Sequence, residues 1–553
     1  MSKYARSQQF SYPSRTWPSR MIEKAPCWCS VDLRDGNQAL ANPMNPEKKL
    51  TYFKYLVSMG FKEIEVSFPS ASKDDYDFTR TIIEQGLIPD DTTIQVLTQA
   101  RSHLIEKTFD AIRGCKRAII HVYNSTSPAQ REVVFRKDRK EIITIALDAV
   151  KQIREYAVKH DGKIILEYSP ESFSQTEVEF ASEICNRVVE TWNPQRDEKV
   201  IINLPSTVEI TTPSIFADQV EYMIDHFDKR DNIIVSVHTH NDRGCAIAAA
   251  EMAMQAGAER VEGTLFGNGE RTGNADIVTI ALNLYSQDID PHININNIPE
   301  IRTMYEECTG MDIHKRHPYA GELVFTAFSG SHQDAINKGL AHYRNAKGHW
   351  NVPYLPIDPA DIGRTYDAVI RINSQSGKGG ASYIMETVYG FQIPKSMQQS
   401  FGKTVQKTAD TLGRELNHQE VFECFNKDFL ARPECFSIQS FSGENFDDGI
   451  ETHGNVSIKA VICDYEKKVT ISGNGNGPID ALVNALKEYG ISCTVLSFHE
   501  HSISRGSDSC AAAYIAISAL SDAVYFGAGV DTDITTASVK ALGVAVAKMH
   551  LGT

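Results

Sequence analysis

No run of about 18 apolar residues occurs anywhere in the 553-residue chain, which excludes a membrane-spanning helix. The first residues lack the apolar stretch of a secretory signal. Residues 1–22 carry Lys3, Arg6, Arg15 and Arg20 and no acid, while Pro13 and Pro18 break the amphipathic helix that a transit peptide needs. Residues 1–24 therefore read as a basic N-terminal arm. Positive charge is in deficit overall: 56 Lys and Arg stand against 71 Asp and Glu, a net charge of −15. No nucleic-acid or membrane partner is expected of such a chain, since both require a basic face. An anionic substrate is still allowed, because a metal ion or a few arginines can reverse the sign locally. The 11 cysteines have no paired spacing, and Cys27 and Cys29 are too close for a CxxC zinc ribbon. An odd, scattered set reads as reduced thiols, and so as a cytoplasmic protein.

What the chain does have is a rhythm. Short runs rich in Val, Ile and Leu alternate with segments of helical period. Strands are expected at 27–34, 63–68, 93–98, 117–123, 163–168, 199–204, 233–238 and 260–266. Helices are expected between and after them, at 46–59, 74–85, 102–113, 139–159, 176–191, 213–227, 244–256 and 275–286. Asn45-Pro46 and Thr212-Pro213 place proline in a first helical turn. Eight such β-α units predict a closed (β/α)8 TIM barrel over 25–310. An open doubly wound sheet would want a glycine-rich phosphate loop after its first strand, where the chain has Asp35-Gly36-Asn37-Gln38. The rhythm stops near 310. Residues 311–428 read as linker subdomains, and 429–553 as a separate α+β domain with strands at 435–441, 455–463, 467–473 and 492–498 and helices at 478–489 and 534–550.

Polar residues collect at the strand C-terminal ends, where barrel enzymes build their sites. His238 and His240 are two apart, so on a strand they point the same way and can share one ion with the carboxylate of Asp35. Two imidazoles and one carboxylate leave open positions on a divalent metal, which Mg, Mn or Zn would suit. Asn274 is a further oxygen ligand, direct or through water. Arg34 beside the metal suits a carboxylate or oxo-bearing substrate, the alternative being a structural pair with Glu65. Thr207 can donate to a substrate carboxylate or cap a helix. Glu171 is a candidate acid, base or orienting group, and His121 a candidate substrate contact. Gly267-Asn268-Gly269-Glu270-Arg271-Thr272-Gly273-Asn274 looks like a phosphate cradle but lacks the Lys-Ser/Thr pair, so nucleotide hydrolysis is rejected. Its glycines let the backbone approach the metal.

Leu33-Arg34-Asp35-Gly36-Asn37-Gln38, His238-Thr239-His240-Asn241-Asp242 and the 267–274 loop together resemble the acyl-CoA-dependent Claisen synthases of the DRE-type metallolyase superfamily. Ser329-Gly330-Ser331-His332-Gln333-Asp334-Ala335 and Asn373-Ser374-Gln375-Ser376-Gly377-Lys378-Gly379-Gly380 look like the longer-type 2-isopropylmalate synthases, and the resemblance covers nearly the whole chain. It implies condensation of acetyl-CoA with 2-oxoisovalerate and water to 2-isopropylmalate and CoA, the first committed step of leucine biosynthesis. It also implies a homodimer and allows a monovalent cation activator. His332 and Tyr354 become catalytic candidates over a barrel mouth, that of the partner subunit, with His332 the base and Glu171 orienting or relaying. The C-terminal domain resembles the leucine-sensing regulatory domain of these enzymes. There Gly475, Gly477 and Ile479 carry the leucine site, with Ala511–Tyr514 and Ile534–Ala537 completing a small apolar pocket. Rival readings are homocitrate or citramalate synthase, a metal-dependent aldolase or lyase without acyl-CoA, and a non-enzymatic amino-acid sensor. The last would not need Asp35, His238 and His240 together.

Overall fold

The computed structural model describes residues 10–327, 330–343, 348–366, 378–412, 416–431, 435–446, 455–465, 467–503, 509–519 and 523–552. Ser329, the 373–377 part of the glycine-rich motif, and Lys3 and Arg6 of the arm lie outside them. The chain divides into two compact units, Met1–Phe325 with Ile357–Thr365, and Thr326–Pro356 with Tyr366–Thr553.

The first unit is a closed parallel barrel. Its strands are β1 (Cys27–Ser30), β2 (Glu63–Ser67), β3 (Thr93–Gln99), β4 (Arg117–Ser125), β5 (Lys163–Glu171), β6 (Val200–Ser206), β7 (Ile233–Thr239) and β8 (Arg260–Gly263), paired in sequence order. β8 closes on β1, with Cys27 opposite Arg260 and Ser30 opposite Gly263. The crossover helices are α1 (Pro46–Met59), α2 (Lys73–Glu84), α3 (Ser102–Ala111), α4 (Arg139–Lys159), α5 (Val178–Trp192), α6 (Pro213–Asp225) and α7 (Ala246–Gln255), and α8 (Ile277–Tyr285) follows β8. Local chemistry starts them where expected. Asn45 accepts the Lys48 amide ahead of Pro46, and Asp138 and Glu141 form a reciprocal capping box on α4. Thr212 sits at the start of α6 but makes no side-chain cap.

Two strands are shorter than their sequence pattern. The expected strand 27–34 ends at Ser30, and the chain turns into one wide π-type turn, Asp32–Gly36. There the amides of Asp35 and Gly36 both donate to the Val31 carbonyl, at 2.9 and 3.1 Å. The expected strand 260–266 ends at Gly263. In both places apolar residues continue inward, so composition alone extends the strand past the point where the backbone leaves the sheet. The barrel interior is polar. Glu65, Gln95, His121, Glu167, Asn203, Ser236, Arg260 and Glu262 are all buried. The apolar bulk, including Phe53, Tyr168, Phe180 and Trp192, is buried elsewhere in the unit.

The second unit contains α10 (Gly330–Tyr343), α11 (Lys378–Tyr389), α12 (Lys395–Leu412) and α13 (His418–Phe425), the helix Ile298–Thr309 being α9 of the first unit. Two three-stranded antiparallel sheets follow. One is β9 (Phe436–Phe446), β10 (Asn455–Asp464) and β11 (Lys467–Gly475), the other β12 (Thr494–Ser502), β13 (Ala511–Ser518) and β14 (Val524–Asp531). Helices α14 (Pro478–Tyr489) and α15 (Ile534–Leu551) share a core with both sheets, through Ile458, Leu482, Ile515 and Leu542. β13 and β14 are absent from the sequence expectation. Ala511-Ala512-Ala513 has low strand propensity in isolation, and only the packed helix makes small residues the right ones there.

Candidate active site

The π-type turn after β1 carries Asp35, and the end of β7 carries His238 with His240 one residue beyond. His240 is held by a single bridge to Asn274 from the loop after β8, and the Ala275 amide donates to Thr239 O at 2.8 Å. The three side chains converge: every pair among Asp35, His238 and His240 has ligand atoms within 4.8 Å. The two imidazole Nε2 atoms are 3.3 Å apart, and His238 Nε2 lies 3.8 Å from Asp35 Oδ2. Burial pushes the Asp35 carboxyl up, but Arg34, His238, His240 and the Asn274 amide outweigh it and hold it at about 2. Burial, then the neighbouring His238, push His240 down to about 4. At neutral pH these two side chains are therefore an anion and a neutral imidazole, the forms that bind metal.

Two buried polar atoms test whether a cation fits. Asn274 Oδ1 and His240 Nδ1 have no hydrogen-bond partner among the described residues. The Asn274 amide nitrogen is committed to Asp35 Oδ2 at 2.7 Å and to Asn268 O at 3.0 Å. Its oxygen is thus left aimed with no donor beside a carboxylate and two imidazoles, which is the donor set of a divalent ion with one more oxygen ligand. The residues fit such an ion. A second convergence, His121 with Glu167 and Glu262, already holds a cation of the chain's own. Arg260 lies 3.0 Å from Glu262 and 3.5 Å from Glu167 there.

Arg34, Asp35, His121, Glu171, Thr207, His238 and His240 all line one cavity of about 690 Å³ at the C-terminal end of the barrel. Arg34 is on a turn, not a strand, so it shares a side with its neighbour Asp35. Its Nη1 contacts Asp35, and its Nε contacts Glu65. Thr207 Oγ1 accepts the Ser172 amide at 2.9 Å, which leaves its proton for another acceptor. Glu171 accepts from Ser125 Oγ. His121 is tied on both nitrogens, to Glu65 Oε1 at 2.9 Å and to Ser169 Oγ at 2.7 Å.

His332 and Tyr354 belong to the second unit. Both are exposed and their rings stack, with centroids 4.1 Å apart. Gly477 and Ile479 line a cavity of about 660 Å³ in the same unit, together with Pro478, Val495, Phe498, Ile534 and Thr535. Gly475 is not part of that lining. A Cβ there would meet the Ala481 nitrogen at 2.4 Å, so glycine is what lets β11 pass this close to α14. Nor do Ala511–Tyr514 line it; Ala512 and Tyr514 pack instead against Phe401, Phe425 and Phe429.

Two functional-looking residues escape sequence reading, and a third, Arg271, is legible there only as part of its glycine-rich loop. Glu262 lies inside the barrel on His238, and Gln95 lies beside Glu262, with nothing in their strands to mark them. Arg271 has a left-handed backbone (φ 56°), bonds Asp242 at 2.7 Å through Nε, and donates to Thr207 O. Its signal was the glycine density around it.

Comparisons with known proteins agree with this geometry. Residues 25–304 match the HMGL-like family, 322–386 the alpha-isopropylmalate synthase post-catalytic domain-like family, and 415–550 the LeuA allosteric (dimerisation) domain. The fold and site thus define a metal-site TIM-barrel enzyme of the HMGL-like class. Over 547 residues the chain is 51% identical to the 2-isopropylmalate synthase of Clostridium acetobutylicum, covering 98% of both. It is 50% identical over 542 residues to that of Pseudomonas putida, covering 98% of this chain and 96% of the relative. The chain belongs to the 2-isopropylmalate synthase family.

Proposed function

We propose that the chain condenses acetyl-CoA with 2-oxoisovalerate and water, giving 2-isopropylmalate and free CoA at the barrel mouth. The observation that carries this reading is the meeting of Asp35, His238 and His240 with Arg34 and Thr207 in one cavity. A divalent ion bound by Asp35, His238 and His240, with Asn274 Oδ1 as a further ligand, would act as a Lewis acid on the ketone of the keto acid. Mg, Mn and Zn all suit that donor set.

The protein's own groups do the rest. The Thr207 proton is free for the substrate carboxylate. Arg34 Nη2 has no hydrogen bond among the described residues and offers a donor to the oxygen on which charge develops. A base removes a methyl proton from acetyl-CoA, and the resulting carbon attacks the ketone carbon. Water then cleaves the thioester and CoA leaves as the thiol. His332 is the proposed base, since histidine exchanges protons near neutral pH, with Tyr354 stacked beside it. A homodimer, in which the partner subunit supplies these two residues, and a cytoplasmic location complete the reading. Glu171, in the same cavity, orients the attacking water or relays a proton. Leucine is the proposed effector. The apolar cavity beside Ile479 suits its side chain, and the α14 N-terminus beginning at Gly477 suits its carboxylate.

Thiol release measured with 2-oxoisovalerate, pyruvate and 2-oxoglutarate, with and without leucine, tests this. 2-Oxoisovalerate should be preferred and leucine should inhibit. A preference for pyruvate or 2-oxoglutarate would instead indicate a citramalate or homocitrate synthase, and turnover without thiol release a lyase. Turnover retained by His332→Ala at normal metal content would remove His332 as the base.

A further inference from the structure

Glu262 is wholly buried inside the barrel, and four donors converge on its carboxylate. Gln95 Nε2 and Arg260 Nη1 reach Oε1 at 2.8 and 3.0 Å. Asn203 Nδ2 and His238 Nδ1 reach Oε2 at 3.1 and 2.9 Å. Gln95 Nε2, Arg260 Nη1 and Asn203 Nδ2 can only donate, and the Glu167 carboxyl nearby is pushed well up by burial and by Glu262 itself, so the site is built for an ionised Glu262. An amide would turn its own N–H groups toward other donors in either orientation. Arg260 is also fully buried, and bonds Glu63 Oε2 at 2.5 Å, Gln95 Oε1 at 2.6 Å and Ser236 Oγ at 2.8 Å.

Such a network is an expensive way to fill a barrel, because a buried ion pair is often no more stable than apolar side chains of equal volume. What apolar filling could not do is act on His238. A carboxylate on Nδ1 requires that nitrogen to carry a proton, so in the neutral ring, the form that binds a metal, the lone pair is on Nε2. Nε2 is the atom facing His240 Nε2 and Asp35 Oδ2. We propose that Glu262, fixed by Arg260, Gln95 and Asn203, is a positioning residue that locks His238 in its metal-binding tautomer and ring orientation and so sets the affinity of the centre. This rests on the metal-site reading above.

The experiment titrates Mn2+ into chelator-treated full-length protein, following free ion by electron paramagnetic resonance and folding by circular dichroism. Asp35→Ala tests the parent reading and should lose measurable binding; if it binds like the wild type, that reading and this one both fall. With Asp35→Ala behaving as expected, Glu262→Gln should weaken binding by about 10–100-fold. Glu63→Gln removes a different partner from Arg260 without touching His238 and should stay within about twofold. Glu262→Gln binding as tightly as wild type overturns the proposal, as does equal weakening by Glu63→Gln. Wild-type protein gives a second reading, with His238→Asn serving only to assign the resonance. With 15N-histidine label, chelator present and the pH high enough for a neutral ring, the resonance missing from His238→Asn should show the proton on Nδ1. A proton on Nε2 overturns the proposal.

Discussion

Asn274 Nδ2 donates to Asp35 Oδ2 at 2.7 Å, joining the loop after the last barrel strand to the turn after the first, 239 residues away in the chain. The contact fixes the second oxygen of a carboxylate whose Oδ1 is already held by Arg34 of the same turn, and it leaves Asn274 Oδ1 beside the same centre. Asn274→Ala removes both effects. Its metal dissociation constant should rise by about tenfold or more, with little change in melting temperature. Isothermal titration checks this, and an unchanged constant would mean that neither atom serves the centre.

Removing the metal should stop the reaction without unfolding the barrel, because the cluster lies at the strand ends while Phe53, Tyr168 and Trp192 are buried away from it. Dialysis against chelator should lower thiol release by at least about 100-fold, and added Mg2+, Mn2+ or Zn2+ should restore it. Full turnover in chelator would refute a metal-dependent step.

Arg271 ties the loops after β6, β7 and β8 through Thr207 O and the Asp242 carboxylate. Asp242 in turn accepts the Glu209 amide at 3.0 Å. Arg271→Ala should let Thr207 drift, raising KM for the keto acid by about tenfold while KM for acetyl-CoA moves little. Steady-state kinetics varying each substrate in turn separates the two. Equal changes in both constants would point to general damage.

Gly273 has φ of 101°, and a Cβ there would lie 2.0 Å from the Gly267 carbonyl. Gly273→Ala is strained by conformation and by contact at once. It should destabilise the barrel by about 1–3 kcal/mol and weaken metal binding through the adjacent Asn274. Urea unfolding and the metal titration report the two effects separately.

Glu177 gives a dependence on pH with a definite sign. Its hydrogen bond with Arg131, assisted by Arg139 and opposed by partial burial, lowers its carboxyl from 4.5 to about 2. A folded value below the unfolded one contributes stability above about 4.5 that is lost as pH falls toward 2. The Glu177 side chain is a third exposed, though Arg131 is buried, so the interaction is partly screened. Glu177→Gln should therefore be less stable than wild type at neutral pH, by a margin that closes on acidification. A constant margin from pH 7 to pH 3 in urea melts would show that the ionised carboxylate contributes nothing.

The barrel was readable because its signals are local. Asn45-Pro46 and the Asp138–Glu141 capping box specify helix starts through atoms a few residues apart, and the Val-Ile-Leu runs mark strands wherever helices cover them. Asp35, His238 and His240 stood out for a related reason, since few structural needs put a carboxylate and two imidazoles at strand ends. Arg34 was harder to place. Strand alternation would turn it away from Asp35, and only the turn that begins at Asp32 brings both to one side.

Other features had no local trace. β13 is a strand because α15 packs closely on it, and no window of Ala511–Ser518 contains that helix. Glu262 and Gln95 look like ordinary polar residues in strand runs, and their meaning comes from Arg260 and from each other, up to 167 residues away in the chain. By itself, the sequence determined the order of elements and the chemical inventory of the metal centre, because caps, periodicity and ligand types act over a few residues. Tertiary structure alone decided which of these groups meet, because ring closure of β8 on β1 is a property of the whole chain. That closure places Asn274 on Asp35, while the pairing of β7 with β8 sets Glu262 beside His238, where a single hydrogen bond in a buried setting fixes an imidazole.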